Sequence, residues 1–551
     1  MDAKFAATIL MLSLAGTIHA ADVPECTARE LLGYSPSKPE IAAHRQFALP
    51  VVKYSHGTKL MAYAGGLALT LRIEAAGNVA CFAMADEWGE RQALNDQRRD
   101  VIGDLSNWRY APFMRDGAAT AAIVKEVVGE EELPGSVSEP PVVSLQAVMI
   151  GLQRSGCFGP CPAYKVELYG DGHAVFEGQG DVDVLGKHSY SIDPEVVAKL
   201  VDSMRTKKLW SLRDSYRAAV TDNSTYTVTL RLGDQVHVIE DYLGRMVGMP
   251  AAVTAFEDAI DAAAGSNGWI NLSLAAVNDL WAEGFEFSSK EGGMLLGRAA
   301  ANPKSDDDAL VKLIGLGVST DTVALDGRGG ERRIPLIDAA LESGHEKLAA
   351  ALIERGTLQT RGTADQAEKD RAFHAAIAGG KLSLVQTIWD TSGSSHPALT
   401  FPDRGRENMY SERESPVTLL LTRPFDRKQA WQGREIAQWL AEKGCDLSAH
   451  GADGRTLLHI AAQAGDAQFV RYLLEQGVDP STPGEFDLPA VGSAQDEEVA
   501  MLLLQAGSGV SARYVADNGQ LRKFAEYRHW QRVIEWLDKQ RSPDAAKRNP
   551  G

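Results

Sequence analysis

The stretch ADGRTLLHIAAQAGDAQFVRYLLEQGVDP, residues 452–480, decides the architecture of about half the chain. Asp453-Gly454 is a turn dipeptide, and Thr456 stands where a side-chain oxygen can cap a helix. Two apolar-periodic runs follow, each ended by a glycine suited to a left-handed helix terminus, Gly465 and Gly477. Two short antiparallel helices on a turn are predicted. Leu458, Ala461, Ala462, Val470, Leu473 and Leu474 fall at core spacing, and the small Ala461 and Ala462 let neighbouring helices approach. Asp453, Arg455, Gln463 and Asp466 fall on the turn, the exposed face of the first helix and the inter-helix loop. They are the candidate binding residues.

The same register recurs in degenerate form. Residues 294–300 lead to 309–317, 334–340 to 348–356, 373–376 to 384–389, and 416–421 to 436–444. Residues 498–507 read as a shortened second helix, 273–284 and 515–537 as caps, and 391–415 and 422–434 as insertions. The pattern D-G-x-T-x-L-H-x-A-A, then G, then V-x-x-L-L-x-x-G-x-D, closely resembles the ankyrin repeat. The resemblance implies an all-α solenoid over 268–540, about five to seven repeats with atypical ends, presenting a concave recognition surface to a protein.

At the other end of the chain, Lys4 precedes an apolar run from Phe5 to Ile18, followed by Ala20 and Ala21. This is the layout of a secretory signal peptide over 1–20, cut before Ala21 or one residue later. About 14 apolar residues rise only ~21 Å as a helix, short of a ~30 Å hydrocarbon core. The sequence before Cys26 is no lipoprotein pattern. A periplasmic or secreted chain is therefore expected, with no membrane span. The 551 residues carry 56 basic and 74 acidic side chains, a net charge of −18 with no long cationic run, which argues against nucleic-acid binding. Composition is ordinary globular, 44% apolar and 24% charged, and excludes a mostly disordered or collagen-like chain.

Residues 22–133 read as a small α+β domain. Residues 67–73 and 79–84 alternate around a turn at 75–78, 94–105 has a helical pattern, and 121–128 reads as a third strand. With W-R-Y-x-P-x-x-x-D-G at 108–117, this order resembles the C-terminal domain of TonB-type energy transducers, the likeness carried by Trp108, Arg109, Pro112 and Gly117. The resemblance implies strand addition at an open sheet edge, here residues 121–128. No long Pro-rich spacer precedes the domain, so a reused binding or packing module is expected rather than energy transduction. A purely structural domain with Trp108 in its core is the alternative reading. Cys26 and Cys81 are expected to bridge the leading segment to the sheet.

The acidic, breaker-rich stretch from Glu130 to Pro141 marks the clearest boundary, with the linker placed at 134–141. Beyond it, 142–264 reads as a second α+β domain. It has a strand ending near 152, a hairpin at 165–177, a helix from Pro194 capped by Asp193, a second hairpin at 226–240 and a closing helix at 250–263. The string R-x-x-C-F-G-x-C-P-x-Y at 154–164, with Thr221-Asp222 and Asp241-Tyr242, resembles a bacterial domain of unknown function, which implies a fold and no reaction. In an exported chain Cys157 and Cys161 read first as a structural disulfide. Thiol redox chemistry and metal binding are the alternatives. The usual redox motif is C-x-x-C at a helix start, and no His or Cys pair at suitable spacing completes a metal site. His173 and His188 read as surface residues, and Cys445 as a lone thiol.

Taken together, a multidomain chain is expected: two small α+β domains, an ankyrin solenoid and a disordered tail at 541–551. No G-x-S-x-G, H-E-x-x-H or P-loop is present. The function expected is an exported, non-enzymatic protein-binding protein with no cofactor or metal. The alternatives are a periplasmic thiol–disulfide protein using Cys157 and Cys161, and an immunity factor against a periplasmic toxin.

Overall fold

The computed structural model describes residues 23–31, 33–56, 66–84, 96–115, 117–325, 333–358, 364–392, 396–397, 399, 416–421, 433–451, 453–484, 488–508, 520–528 and 530–540. The expected signal peptide and tail lie outside these residues, as does most of both insertions. The chain divides into two compact units, Met1–Gly135 with Gly244–Pro250, and Ser136–Leu243 with Ala251–Gly551. The middle domain and the repeats, expected as separate bodies, thus share one unit.

The first unit contains α1 (Lys38–His44), β1 (Val51–Tyr54), β2 (Gly66–Ile73), β3 (Val79–Ala83), α2 (Asp96–Asp104), β4 (Phe113–Arg115), β5 (Ala118–Thr120) and β6 (Ala122–Glu132). Its main sheet has the order β1-β6-β2-β3. The β2–β3 hairpin forms as expected. Its turn needs Gly77, at φ +88°, where a Cβ would lie 1.9 Å from the Tyr110 carbonyl oxygen.

Two expectations fail here. First, the acidic run is strand, not linker: β6 continues to Glu132, and Glu130, Glu131 and Glu132 are all buried. Side chains at alternate positions of a strand share a face, so Glu126 and Glu130 both point inward. Glu126 accepts two bonds from Arg45 (2.9 and 2.6 Å) and one from the Tyr110 hydroxyl (3.0 Å). Glu130 accepts two from Arg98 (2.7 and 3.0 Å) and one from Tyr54 (2.6 Å). Second, residues 121–128 are not an open edge. β2 pairs with β6 from Ala122 to Gly129, and on the opposite side β6 is bridged by Tyr34 at Ala122 and by β1 from Gly129 onward. At the other end of the sheet, β3 carries residues 24–26. Cys26 N donates to the Phe82 carbonyl (2.7 Å), and Phe82 N donates to that of Pro24 (3.0 Å). Cys26 and Cys81 lie at disulfide distance, Cα–Cα 5.0 Å, which staples the segment there. Trp108 is buried against Phe47, ring centroids 4.4 Å apart. Arg109 turns its side chain to the carbonyls of Ser106 and Trp108 (both 2.8 Å). Gly117 turns β4 into β5 at φ +79°. These residues serve packing and turns.

The second unit opens with β7 (Val148–Arg154), β8 (Ala163–Tyr169), β9 (His173–Gly180), β10 (Gly186–Ser191), α3 (Pro194–Thr206), β11 (Ser215–Arg217), β12 (Tyr226–Leu232), β13 (Gln235–Tyr242) and α4 (Ala251–Ala264). Both expected hairpins form, and Asp193 caps α3 by accepting from Glu195 N (2.9 Å). The sheet has seven strands, in the order β10-β9-β8-β7-β12-β13-β11. The unpredicted β10 and β11 are its edges. On the inner face Leu152, Val166, Phe176 and Val228 form an apolar layer.

Helices follow without a linker: α5 (Ser266–Ile270), α6 (Leu274–Ala282), α7 (Lys290–Ala300) and α8 (Asp307–Gly315). After the short strands β14 (Val323–Leu325) and β15 (Arg333–Pro335) come α9 (Leu336–Ser343) and α10 (Glu346–Glu354), α11 (Ala364–Gly379) and α12 (Leu382–Thr391), and α13 (Pro416–Leu421) and α14 (Gly433–Glu442). Next are α15 (Leu457–Ala464), α16 (Ala467–Glu475), α17 (Glu497–Gln505), α18 (Gln520–Arg528) and α19 (Gln531–Gln540). The pairs keep the register read from the sequence. Gly465 and Gly477 have φ of +72° and +82°. Leu458, Ala461, Ala462, Val470 and Leu473 are buried, but Leu474 is only half-buried and Phe469 takes its place in the core. The inward stripe of α16 runs 469, 470, 473, and position 474 is a further ~100° round the helix.

Candidate functional site

The four candidates in the 452–480 repeat do not form one site. Asp453 and Arg455 are occupied with each other. The Asp453 carboxylate accepts from Arg455 N (3.0 Å) and pairs with its Nε (2.5 Å), which fixes the turn. Gln463 is half-buried on α15. Asp466 caps α16, accepting from Phe469 N (2.9 Å), and its carboxylate lies 3.3 Å from Arg434. Asp466 alone of the four lines the groove on the repeats, a concavity of about 810 Å³. The groove runs along the N-terminal ends of four successive second helices: Glu346 on α10, Lys381 and Ser383 on α12, Arg434 and Glu435 on α14, and Asp466. Its lining is mixed in charge. The sequence placed candidates at the turn, the first-helix face and the inter-helix loop, and of these only the loop position, Asp466, meets the concavity at the start of the second helices.

A second cluster was not anticipated as a site. In the middle-domain sheet, Tyr164 pairs in register with Arg154, Arg154 with Tyr226, Tyr226 with Asp241 and Asp241 with Tyr216. Directly opposed residues share a face, so these five form one polar row across four strand pairings, at the end of the apolar layers. The Arg154 guanidinium sits 5.2 Å over the Tyr226 ring. Helix α4 lays Glu257 and Asp261, one turn apart, on the row. The Tyr164 hydroxyl donates to Asp261 (2.7 Å). Burial raises the Tyr164 hydroxyl well above its ordinary value, with the Asp261 charge adding to it. Glu257 is 4% exposed, and its Oε1 has no hydrogen-bond partner among the described residues. Burial, then the charges of Asp241, Asp258 and Asp261, push its carboxyl up to about 8. Glu257 is therefore protonated at neutral pH, where the usual carboxyl is ionised.

This geometry accounts for the 154–164 string. Its two ends, Arg154 and Tyr164, are cross-strand neighbours, and the loop between them is closed by Cys157 and Cys161, Cα–Cα 5.6 Å. Phe158 stands at the loop tip, 90% exposed, and its N–H donates to the Asp222 carbonyl (3.3 Å). Asp222 holds φ +72°, and Asn223 N donates to the Tyr242 hydroxyl (3.3 Å). The cysteines lie on a hairpin loop, not at the helix N-terminus that stabilises a reactive thiolate. Replacing both by serine is expected to lower the stability of this unit by about 2 kcal/mol, the loop-closure value for so short a ring. Thermal unfolding of the double variant measures it, and an unchanged midpoint refutes a structural bridge. Elsewhere, burial pushes the Cys445 thiol up to about 11, leaving it un-ionised at neutral pH. His173 is exposed as expected, but His188 is buried, with Nδ1 2.5 Å from Glu283. Among the described residues no His, Cys, Asp and Glu group could hold a metal ion.

Comparison with known proteins agrees with the two halves of this unit. Residues 148–264 match a domain of unknown function (DUF6438), and residues 429–514 match ankyrin repeats in three copies. The chain has no match among curated proteins. Among solved structures it is similar to the human ASB11 ankyrin repeat domain, at 19% identity and a TM-score of 0.27, covering 40% of this chain and 86% of that one. It is also similar to the ankyrin repeat domain of Bcl-3, at 20% identity and a TM-score of 0.25, covering 44% and 96%.

Proposed function

We propose that the chain is an exported, non-enzymatic binding protein that takes a protein partner on its repeats. Ankyrin repeats suggest protein–protein interaction, and the observation that carries the reading is the groove along α10, α12, α14 and α16. It crosses four repeats, is open to solvent and is lined by charged side chains that change from repeat to repeat. Such a surface selects a partner by electrostatic match rather than by one deep pocket.

Export rests on residues 1–20 as a cleaved signal, and two cysteine pairs at bonding distance suit an oxidising compartment. No helix among the described residues is long and apolar enough to cross a membrane. Strand addition at the first unit is not part of the proposal, because β6 lies between β1 and β2 in the sheet and not at its edge.

Affinity capture from periplasmic extract with the tagged full chain tests the reading. The recovered bait should begin at Ala21 or Asp22. The Lys381→Glu, Glu435→Lys double variant should lose the captured protein at least tenfold while its melting changes little, since surface substitutions usually cost within about 0.5 kcal/mol. Leu473→Asp, which buries a charge, should instead unfold neighbouring repeats. If the charge-swapped chain captures the same proteins as the parent, the groove is not the recognition surface.

A further inference from the structure

We infer a function for the middle domain: it is the N-terminal cap of the repeat array. A solenoid's first repeat has no preceding neighbour, and its outer face must be covered by something that ends the stack. Here the covering element is the β9–β10 connection of the middle domain, and the seam is built as a protein core is built.

Asp183 stands at the centre of the seam, 2% exposed. Its carboxylate accepts from Leu272 N (2.7 Å), from Asn302 Nδ2 (3.0 Å to Oδ2) and from the Ser305 hydroxyl. Its backbone is equally engaged. Asp183 N donates to the Ile270 carbonyl (3.0 Å) and Val184 N to that of Trp269 (3.2 Å), while Arg298 Nε donates to the Asp183 carbonyl (2.9 Å). Every one of these partners lies in α5, α7 or the segments flanking them. A buried carboxylate is tolerated only when its oxygens are satisfied, and repeat residues supply the donors.

Around this polar centre the seam is apolar and aromatic. Trp269 of α5, 2% exposed, lies 5.4 Å from Phe176 of β9, 5.7 Å from His188 of β10 and 5.1 Å from Tyr190 of β10. Glu283, just after α6, holds His188 and accepts from Ser189 N (2.9 Å). The chain crosses from α4 to α5 through Gly265 alone, at φ +61°, and the Tyr190 hydroxyl donates to the Ala264 carbonyl (2.7 Å). The two parts therefore have neither the linker nor the exposed polar interface of independently moving domains.

Hydrogen exchange on the full chain with Asp183→Ala tests the inference. The cap predicts that amides of α6, α7 and α8 exchange at least tenfold faster than in the parent, while those of α15 and α16, far along the array, and of β12 and β13 stay within twofold. Glu283→Ala, at the solvent-accessible margin of the seam, should produce the same pattern at a smaller amplitude, at least twofold, and decides the matter if Asp183→Ala does not fold. If the faster exchange is confined to β9 and β10, Asp183 stabilises only its own domain and the inference fails. It fails equally if exchange rises uniformly over the chain, or if α6–α8 are unchanged in both variants.

Discussion

Replacing Glu130 by alanine should destabilise the first unit by about 3–5 kcal/mol, the cost of leaving a buried charge without its partner. Glu130 is 1% exposed and Arg98 8%, and the pair is joined by two bonds of 2.7 and 3.0 Å, with the Tyr54 hydroxyl 2.6 Å from the same carboxylate. Alanine removes the carboxylate that takes both bonds from the buried guanidinium and one from the Tyr54 hydroxyl. The triple variant Glu130→Leu, Arg98→Met, Tyr54→Phe removes all three polar groups and should lie within about 1 kcal/mol of the parent or above it, because a buried ion pair gains little over a packed apolar one. Urea unfolding followed by exchange of the β2 and β6 amides gives both numbers. A Glu130→Ala loss below 1 kcal/mol would mean that Arg98 reaches water or another acceptor and that the pair is not sealed.

That pair also shows where sequence reading stops. Glu130 and Glu131 look like part of a solvated linker because the residues that neutralise them are remote: for Glu130, Arg98 lies 32 positions back, and for Glu131, Lys53 lies 78 back and Arg245 114 ahead. Burial of a charge is a tertiary fact with no local signature. The repeats were legible for the opposite reason. A turn at Asp453-Gly454 and helix ends at Gly465 and Gly477 are set by backbone conformation within a few residues. β10 and β11 were missed because edge strands need little apolar alternation: Gly-Lys-His-Ser-Tyr-Ser and Ser-Tyr-Arg carry almost none. The polar row was half legible. The string named Arg154 and Tyr164, but only the hairpin register makes them neighbours. Glu257 and Asp261, spaced as on any charged helix face, gave no sign that this face of α4 is turned inward.

The row makes the last and sharpest prediction, on pH. The Glu257 carboxyl stands at about 8 in the folded chain against an ordinary 4.5, raised first by burial and then by Asp241, Asp258 and Asp261. Between those two values the folded chain holds a proton that the unfolded chain has released. Stability from this group is therefore complete below pH 4.5, falls by about 1.4 kcal/mol per unit as pH rises, and is lost once pH passes 8. Glutamine keeps the shape and has no proton to lose. Glu257→Gln should thus match the parent near pH 4.5 and exceed it by roughly 4 kcal/mol at pH 9, an order-of-magnitude figure from the same linkage. Urea unfolding of both chains at pH 5, 7 and 9 reads the difference, and common effects of pH on every other group cancel between them. A difference that does not grow with pH would mean that Glu257 is ionised in the folded state. Arg154, whose guanidinium lies over Tyr226, is the cation of the same row. The cluster would then be an ion-pair network, without the protonated acid that now sets it apart from an ordinary buried salt bridge.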